Sequence, residues 1–185
     1  MKRHVPSHPV VILDACVLIN LLASGRAEEI LTGSEYKFGI CTVASSESIY
    51  LRAAESNAPP DEVQLDPFVK SKCLTVYALS GDTEQTLYVD YAADLDDGEA
   101  MTLALAFSRG FSMATDDRKA RRIFLEEIRD ARRLLSTPQI LRTWSKKEGL
   151  PSGELKKLLL EVSRRGRFSP HSGDPDFLWW SQSVL

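Results

Sequence analysis

Apolar and polar positions along this chain fall into blocks whose lengths and periods predict a regular succession of strands and helices. The run "VVIL" at 10–13 has the length of a buried strand. It hands over at Asp14 to "ACVLINLLA", which predicts a helix over 16–24, with a second short one near 26–31. "YKFGICT" (36–42) predicts a second strand, and Thr42 then caps a helix through "VASSESIYLRAA". The prolines of "NAPPDEVQLDP" make that stretch a loop or a broken helix. "CLTVYAL" (73–79) is rich in β-formers and predicts a strand, and "SGDTEQTLYVDYAADL" a capped amphipathic helix.

"DDGEAMTLALAFSRGF" carries the clearest helix signal: an acidic start, an apolar body from Ala100 to Phe107, and Gly110 as the stop. Being apolar nearly all round, this helix is expected to be buried. "FSMAT" (111–115) predicts a strand, "DRKARRIFLEEI" a helix and "RRLLST" the last strand. "TPQILRTW" opens with Thr as N-cap and Pro at the first helical position, and "PSGELKKLLLEVSRRG" repeats that grammar. The alternation predicts an α/β fold, a three-layer α/β/α arrangement with a central parallel sheet. Crossovers in such sheets are right-handed, so the C-terminal ends of the strands share one edge, and ligands bind there.

Five carboxylates are candidates for that edge. Asp14, Asp116 and Asp117 sit where a strand gives way to a helix, Glu99 lies in the first turn of the buried helix, and Glu47 falls within "SSESIY". Each has a purely structural alternative. Asp14 or Asp116 could cap the helix that follows, Glu99 could close a capping box begun at Asp96, and Glu47 could be a surface residue. Together they suggest more. Two carboxylates about 4 Å apart repel by roughly 4 kcal/mol at an effective dielectric near 20, so either one is protonated or a cation sits between them. Oxygen ligands without Cys or His partners suit Mg²⁺ or Mn²⁺. Such an ion is the usual apparatus of phosphodiester hydrolysis.

Composition narrows the field. The 185 residues are enough for a domain with a real core, and 43% hydrophobic content is ordinary for a globular protein. No apolar run reaches the ~18 residues of a membrane span, and "MKRHVPSHPVV" has no secretory h-region, so a cytoplasmic protein without membrane contact is expected. Cys16, Cys41 and Cys73 form no C-x-x-C pair and no zinc spacing. His4, His8 and His171 lie in the terminal segments, away from any triad, and Walker and G-x-G-x-x-G loops are missing. Nucleophilic side-chain catalysis and dinucleotide chemistry therefore lack their parts. The net charge of −3 conceals an asymmetry: residues 1–117 hold 8 Lys/Arg against 18 Asp/Glu, and residues 118–167 hold 15 against 6. An acidic site beside a phosphate-binding face would produce that division.

Four of these segments in order resemble the PIN-domain nucleases. "DACVLIN" is similar to their D-x-S-x-L-I opening, "LDDGEAMTLALA" to their G-E-A-x-x-x-A-L-A helix, "ATDDRKAR" to the next acidic motif, and "STPQILRTWSKKEGL" to the segment after it. The resemblance implies a PIN-like nuclease domain over 1–168, with 169–185 as a C-terminal tail in which Trp179 and Trp180 dock on the domain, meet a partner or stack on bases. It implies a Mg²⁺- or Mn²⁺-dependent endoribonuclease of the VapC toxin type, partnered by RNA, a small antitoxin protein and a second copy as a homodimer. By motif, Asp14, Glu47, Glu99 and Asp116 form the acidic quartet, with Asp117 replacing or joining Asp116. Asp14, Glu99 and Asp116 are the metal ligands, and Thr115, Arg118, Lys119, Arg121 and Arg122 face the substrate. Cys16 stands where the family often has Ser or Thr, and Glu55 is the alternative to Glu47. Two other readings stay open: a PIN-like module that binds RNA or protein without cutting, and a phosphatase or phosphoryl receiver, although "VVILDAC" shows neither D-x-D nor an early acidic pair.

Overall fold

The computed structural model describes residues 9–46, 49–53 and 58–185. The chain opens with β1 (Val10–Leu13), α1 (Ala15–Ala23), α2 (Ala27–Gly33) and β2 (Lys37–Cys41). A short α3 (Thr42–Ser46) leads to β3 (Ile49–Leu51), β4 (Asp61–Val63), α4 (Asp66–Lys70) and β5 (Leu74–Tyr77). The helices α5 (Gly81–Ala92) and α6 (Asp97–Arg109) form an antiparallel pair before β6 (Ser112–Ala114), α7 (Arg118–Ile128) and β7 (Leu134–Leu135). The chain closes with α8 (Thr137–Lys147), α9 (Ser152–Arg165) and α10 (Phe177–Ser183).

Five of the strands make one all-parallel sheet in the order β5-β2-β1-β6-β7. The chain starts in the middle, builds outward through β2 and β5, then returns to add β6 and β7 on the other side. The order therefore reverses between β1 and β6, which is where an open α/β sheet leaves a crevice at its C-terminal edge. Register keeps that edge level: Leu13 lies beside both Ile40 and Ala114, and Ala114 beside Leu135.

Helix α6 covers one face, against β1, β2 and β6, with α5 and α7 beside it; α1, α2, α8 and α9 pack together over the other. The sequence of α6 explains its place. The Asp96 carboxylate accepts the Glu99 N–H at 2.8 Å, and Gly110 ends the helix at φ 70°, a conformation that favours glycine. Between them Ala100 through Ala106 are all buried. Small residues at 100, 104 and 106 let the helix lie close to the sheet, while Leu103 and Leu105 fill the core. Removing either leucine side chain from water contributes roughly 1.5–3 kcal/mol.

The region 42–67 departs from expectation. Of the helix expected through 43–54, the described residues show α3 up to Ser46, and Ile49–Leu51 instead pairs antiparallel with Asp61–Val63, inside the expected loop. Burial shows why: Ile49 and Leu51 are buried while Tyr50 between them is 54% exposed, a period of two rather than 3.6. The Arg165 guanidinium bonds to Asp61 at 2.6 Å, and the Arg52 N–H to the Arg165 carbonyl at 3.0 Å, tying this hairpin to the end of α9. The tail docks on the domain itself. Trp180 is 3% exposed, meets Phe168 edge-on at 5.6 Å and packs with α10 against α9. No helix among the described residues is long and apolar enough to cross a membrane.

Candidate functional site

The switch point between β1 and β6 is where the acids gather. Asp14 follows the last residue of β1, and its N–H still bonds to the Ala114 carbonyl at 2.9 Å, so the sheet fixes its backbone. It occupies the N-cap position of α1, yet its carboxylate makes no capping bond. Oδ2 instead accepts the Thr115 hydroxyl at 2.7 Å and the Cys16 thiol at 3.0 Å. The thiol thus supplies the donor that Ser or Thr would have given. At 5% exposure, burial pushes the Asp14 carboxyl above its usual range; the Cys16 and Thr115 bonds oppose this, and the Asp96 charge adds to it. The Cys16 thiol is itself pushed up, first by burial and then by the charges of Asp14 and Asp116, so it remains a neutral donor.

Asp116 comes one residue after the buried Thr115, beyond β6, and Asp116 and Asp117 are placed differently. Asp117 is exposed and caps α7, with Oδ1 accepting the Lys119 N–H at 2.7 Å and the Ala120 N–H at 2.9 Å. Asp116 turns the other way, into the fold. Its Oδ1 accepts the Thr137 N–H at 2.9 Å, and its Oδ2 accepts the Thr137 hydroxyl at 2.6 Å and the Asn20 amide at 3.0 Å. Burial raises the Asp116 carboxyl, and those three donors, with the Arg121 charge a lesser influence, pull against it. Asn20 and Thr137 were not singled out in the sequence. A lone Asn on the apolar run after Asp14 was the available signal. Thr137 was expected to cap α8, but Ser136 does so through the Gln139 N–H at 3.4 Å, which frees Thr137 for Asp116.

Glu99 reaches the same edge from the first turn of α6. The Cys41 thiol at the end of β2 lies 3.6 Å from the Gly98 carbonyl, and the Thr42 hydroxyl 3.5 Å from the Met101 sulfur, which pins that turn against β2. Asp96 and Glu99 do form a capping box, but the return contact from the Asp96 backbone is the smallest influence on Glu99. Burial, then the charges of Asp14, Asp96 and Asp117, push Glu99 up to about 7. Glu99 therefore feels Asp14 and Asp117 as near charges, and Cys16 feels both Asp14 and Asp116. Glu47 and its alternative Glu55 lie outside the described residues. Among the described residues, no three Asp, Glu, His or Cys side chains converge closely enough to hold an ion as they stand.

The residues expected to face a substrate divide. Thr115 is fully buried and serves Asp14 and the Asp117 N–H, so it positions the acids instead of reaching outward. Arg121 sits beside the site, its guanidinium donating to the Thr115 and Leu135 carbonyls at 2.8 and 2.9 Å. Arg118, Lys119 and Arg122 are exposed on α7. Lys119 binds Asp94, and Arg122 forms an ion pair with Glu126 at 2.9 Å. Comparison of the chain with family models, curated proteins and solved structures gives no match.

Proposed function

We propose that the chain is a Mg²⁺- or Mn²⁺-dependent endoribonuclease working at the β1–β6 edge. The observation that supports this most is the meeting of Asp14, Glu99 and Asp116, from three distant parts of the sequence, at the sheet's switch point, each with its carboxyl raised. Neutral groups orient them: a thiol and a hydroxyl on Asp14, an amide, a hydroxyl and a backbone N–H on Asp116. Oxygen-only donors of this kind fit a hard divalent cation. Asp14, Glu99 and Asp116 would hold it once drawn closer than they stand, with Asp117 exposed beside them at the start of α7.

When bound, the ion supplies Lewis-acid polarisation of a phosphate and a more acidic water. The chain's own contribution is positional. Thr115 and Cys16 fix the Asp14 carboxylate and Asn20 and Thr137 fix Asp116, at an edge where burial opposes the ionised forms. Without the ion, burial and acidic neighbours push Glu99 up to about 7, and a bound cation would favour its ionised form. Arg121 places a positive charge next to the acids, where a substrate phosphate would need one.

The test is RNA cleavage and thermal melting of the wild type and Asp14→Asn with Mn²⁺, Mg²⁺ or chelator. Metal-dependent cleavage is expected to fall by about 10²-fold or more in the variant. The metal-induced rise in melting temperature is expected to vanish with it. Equal cleavage by both proteins overturns the assignment. Salt-sensitive RNA binding with no metal response in either protein would instead mark a binding module.

A further inference from the structure

We propose a second element of the same site: a basic groove between α7 and α8, walled by the tail, that grips the backbone of a single-stranded RNA leading away from the acids. It rests on the nuclease reading for its polarity but is visible without it. A cavity of about 870 Å³ opens between these elements, lined by Arg121, Gln139, Arg142, Thr143, Lys146 and Lys147, with Pro175 and Asp176 from the tail closing one side. A second basin of about 500 Å³ meets it along Arg121 and Leu125 and adds Arg118, His171 and the Arg122–Glu126 ion pair. Arg121 belongs to both basins and donates to the carbonyls of Thr115 and Leu135, the residues at the ends of β6 and β7. The groove therefore begins beside Asp116 and runs away from it.

Charge identifies the occupant. Four cationic side chains line the larger basin against one carboxylate, Asp176, which is buried and already bonded to Arg142. This is the positive counterpart of the acidic edge, and it fits a polyanion. Among the described residues, no aromatic ring lines the larger basin. Stacking on bases, the usual second component of single-strand recognition, is missing there. The contacts that remain are to phosphate and sugar, so the grip is insensitive to base sequence and sensitive to salt. The tail walls the groove and tempers it: Asp176 pairs with Arg142 and offsets its charge, while Trp180 anchors the segment from behind.

The probe is a fluorescein-labelled oligouridylate of about twelve nucleotides, a length within the site sizes known for single-strand grooves. Binding is followed by anisotropy in chelator, over a salt series, so that no cleavage enters. Thr143 and Lys146 are exposed on one face of α8, and neither holds the fold. Lys146→Gln is expected to flatten the salt slope by about 0.7, the value of one lost single-strand phosphate contact. Thr143→Glu with Lys146→Glu is expected to weaken binding about tenfold or more, equally for oligouridylate and oligoadenylate. Asp176→Asn, which removes the one carboxylate and releases Arg142, is expected to tighten binding. Unchanged affinity and slope in all three variants overturn the groove while leaving the nuclease reading standing. Groove-dependent RNA binding in a protein that never cleaves supports the groove and overturns the nuclease reading instead. A labelled polyglutamate peptide that binds where RNA does not would make this a protein-docking face and overturn the proposal.

Discussion

Two regions of the molecule bury carboxylates in opposite ways. Glu84, 6% exposed on α5, receives both arms of the Arg109 guanidinium, each at 2.7 Å, plus the Ser108 hydroxyl at 2.8 Å and the Ser80 N–H at 2.6 Å. Its carboxyl is held down at about 2, first by Arg109. At the β1–β6 edge the partners of Asp14 and Asp116 are a thiol, hydroxyls, an amide and a backbone N–H, and the carboxyls move up. Both regions have their hydrogen bonds. Only the first has an arginine bonded to its carboxylate; at the second Arg121 is a nearby charge whose hydrogen bonds go to backbone carbonyls. A fold able to supply a bidentate arginine to one buried acid leaves another group of acids without one. Such a difference marks charge kept for something that arrives from outside.

The largest effect that separates the regions is expected from Arg109→Ala. It strands Glu84 in the interior between α5 and α6, and loss of one partner of a buried pair costs about 3–5 kcal/mol. For a chain of this size the melting temperature should fall on the order of 10 °C. Asp14→Asn in chelator should not fall at all, since it removes a charge that the fold opposes. If Arg109→Ala melts with the wild type, the pair is no clip and the contrast collapses.

Acidity should split the two regions with opposite signs. Glu84 has a folded value near 2 against an ordinary 4.5, so its contribution is complete above 4.5 and is lost as pH falls through 2. That shift corresponds to about 3 kcal/mol. Glu99 has a folded value near 7 against the same 4.5. Its ionised form is disfavoured in the native state, so stability falls as pH rises from 4.5 through 7. Glu99→Gln in chelator should therefore match the wild type at pH near 4 and exceed it by about 2 °C near pH 8, a modest gain because the side chain is partly exposed. A constant offset across the range would show that Glu99 is not destabilised by its neighbours.

The sequence made the central sheet and α6 legible for a physical reason. Runs such as "VIL" at 11–13 and "TLALA" at 102–106 are buried throughout, and such runs have few alternative fates. The same holds for Asp14 and Asp116, whose position at strand ends follows once the strands are parallel. The hairpin at 49–63 was hidden because its pairing is not local. "DEV" has little strand propensity of its own and becomes β4 only through Ile49–Leu51 and the grip of Arg165. Glu84 carries no distinguishing signal in the sequence, since its partner Arg109 lies 25 residues away on the next helix. Asn20 and Thr137 were hidden similarly: each looks like a neutral helix residue until Asp116, 96 and 21 residues distant, is placed beside it.

The smallest effect tests the claim that neutral donors restrain Asp14. Cys16 donates to Asp14 across 3.0 Å, and its sulfur lies 3.9 Å from the Thr115 oxygen, so the thiol is the weaker of the two donors on Asp14. Cys16→Ser offers a stronger donor to the ionised carboxylate and should lower the pH at which Asp14 titrates. Cys16→Ala removes the donor and should raise it. Neither change alters the sheet around Asp14, because its N–H bond to Ala114 and its Thr115 bond remain. Melting temperatures should move by about 1–2 °C, too little to decide the matter. The Asp14 carboxyl carbon followed by NMR across pH can decide it. The order Ser below Cys below Ala makes the thiol a working member of the site. Identical titration in all three would make Cys16 mere packing and leave Thr115 as the group that holds Asp14 in place.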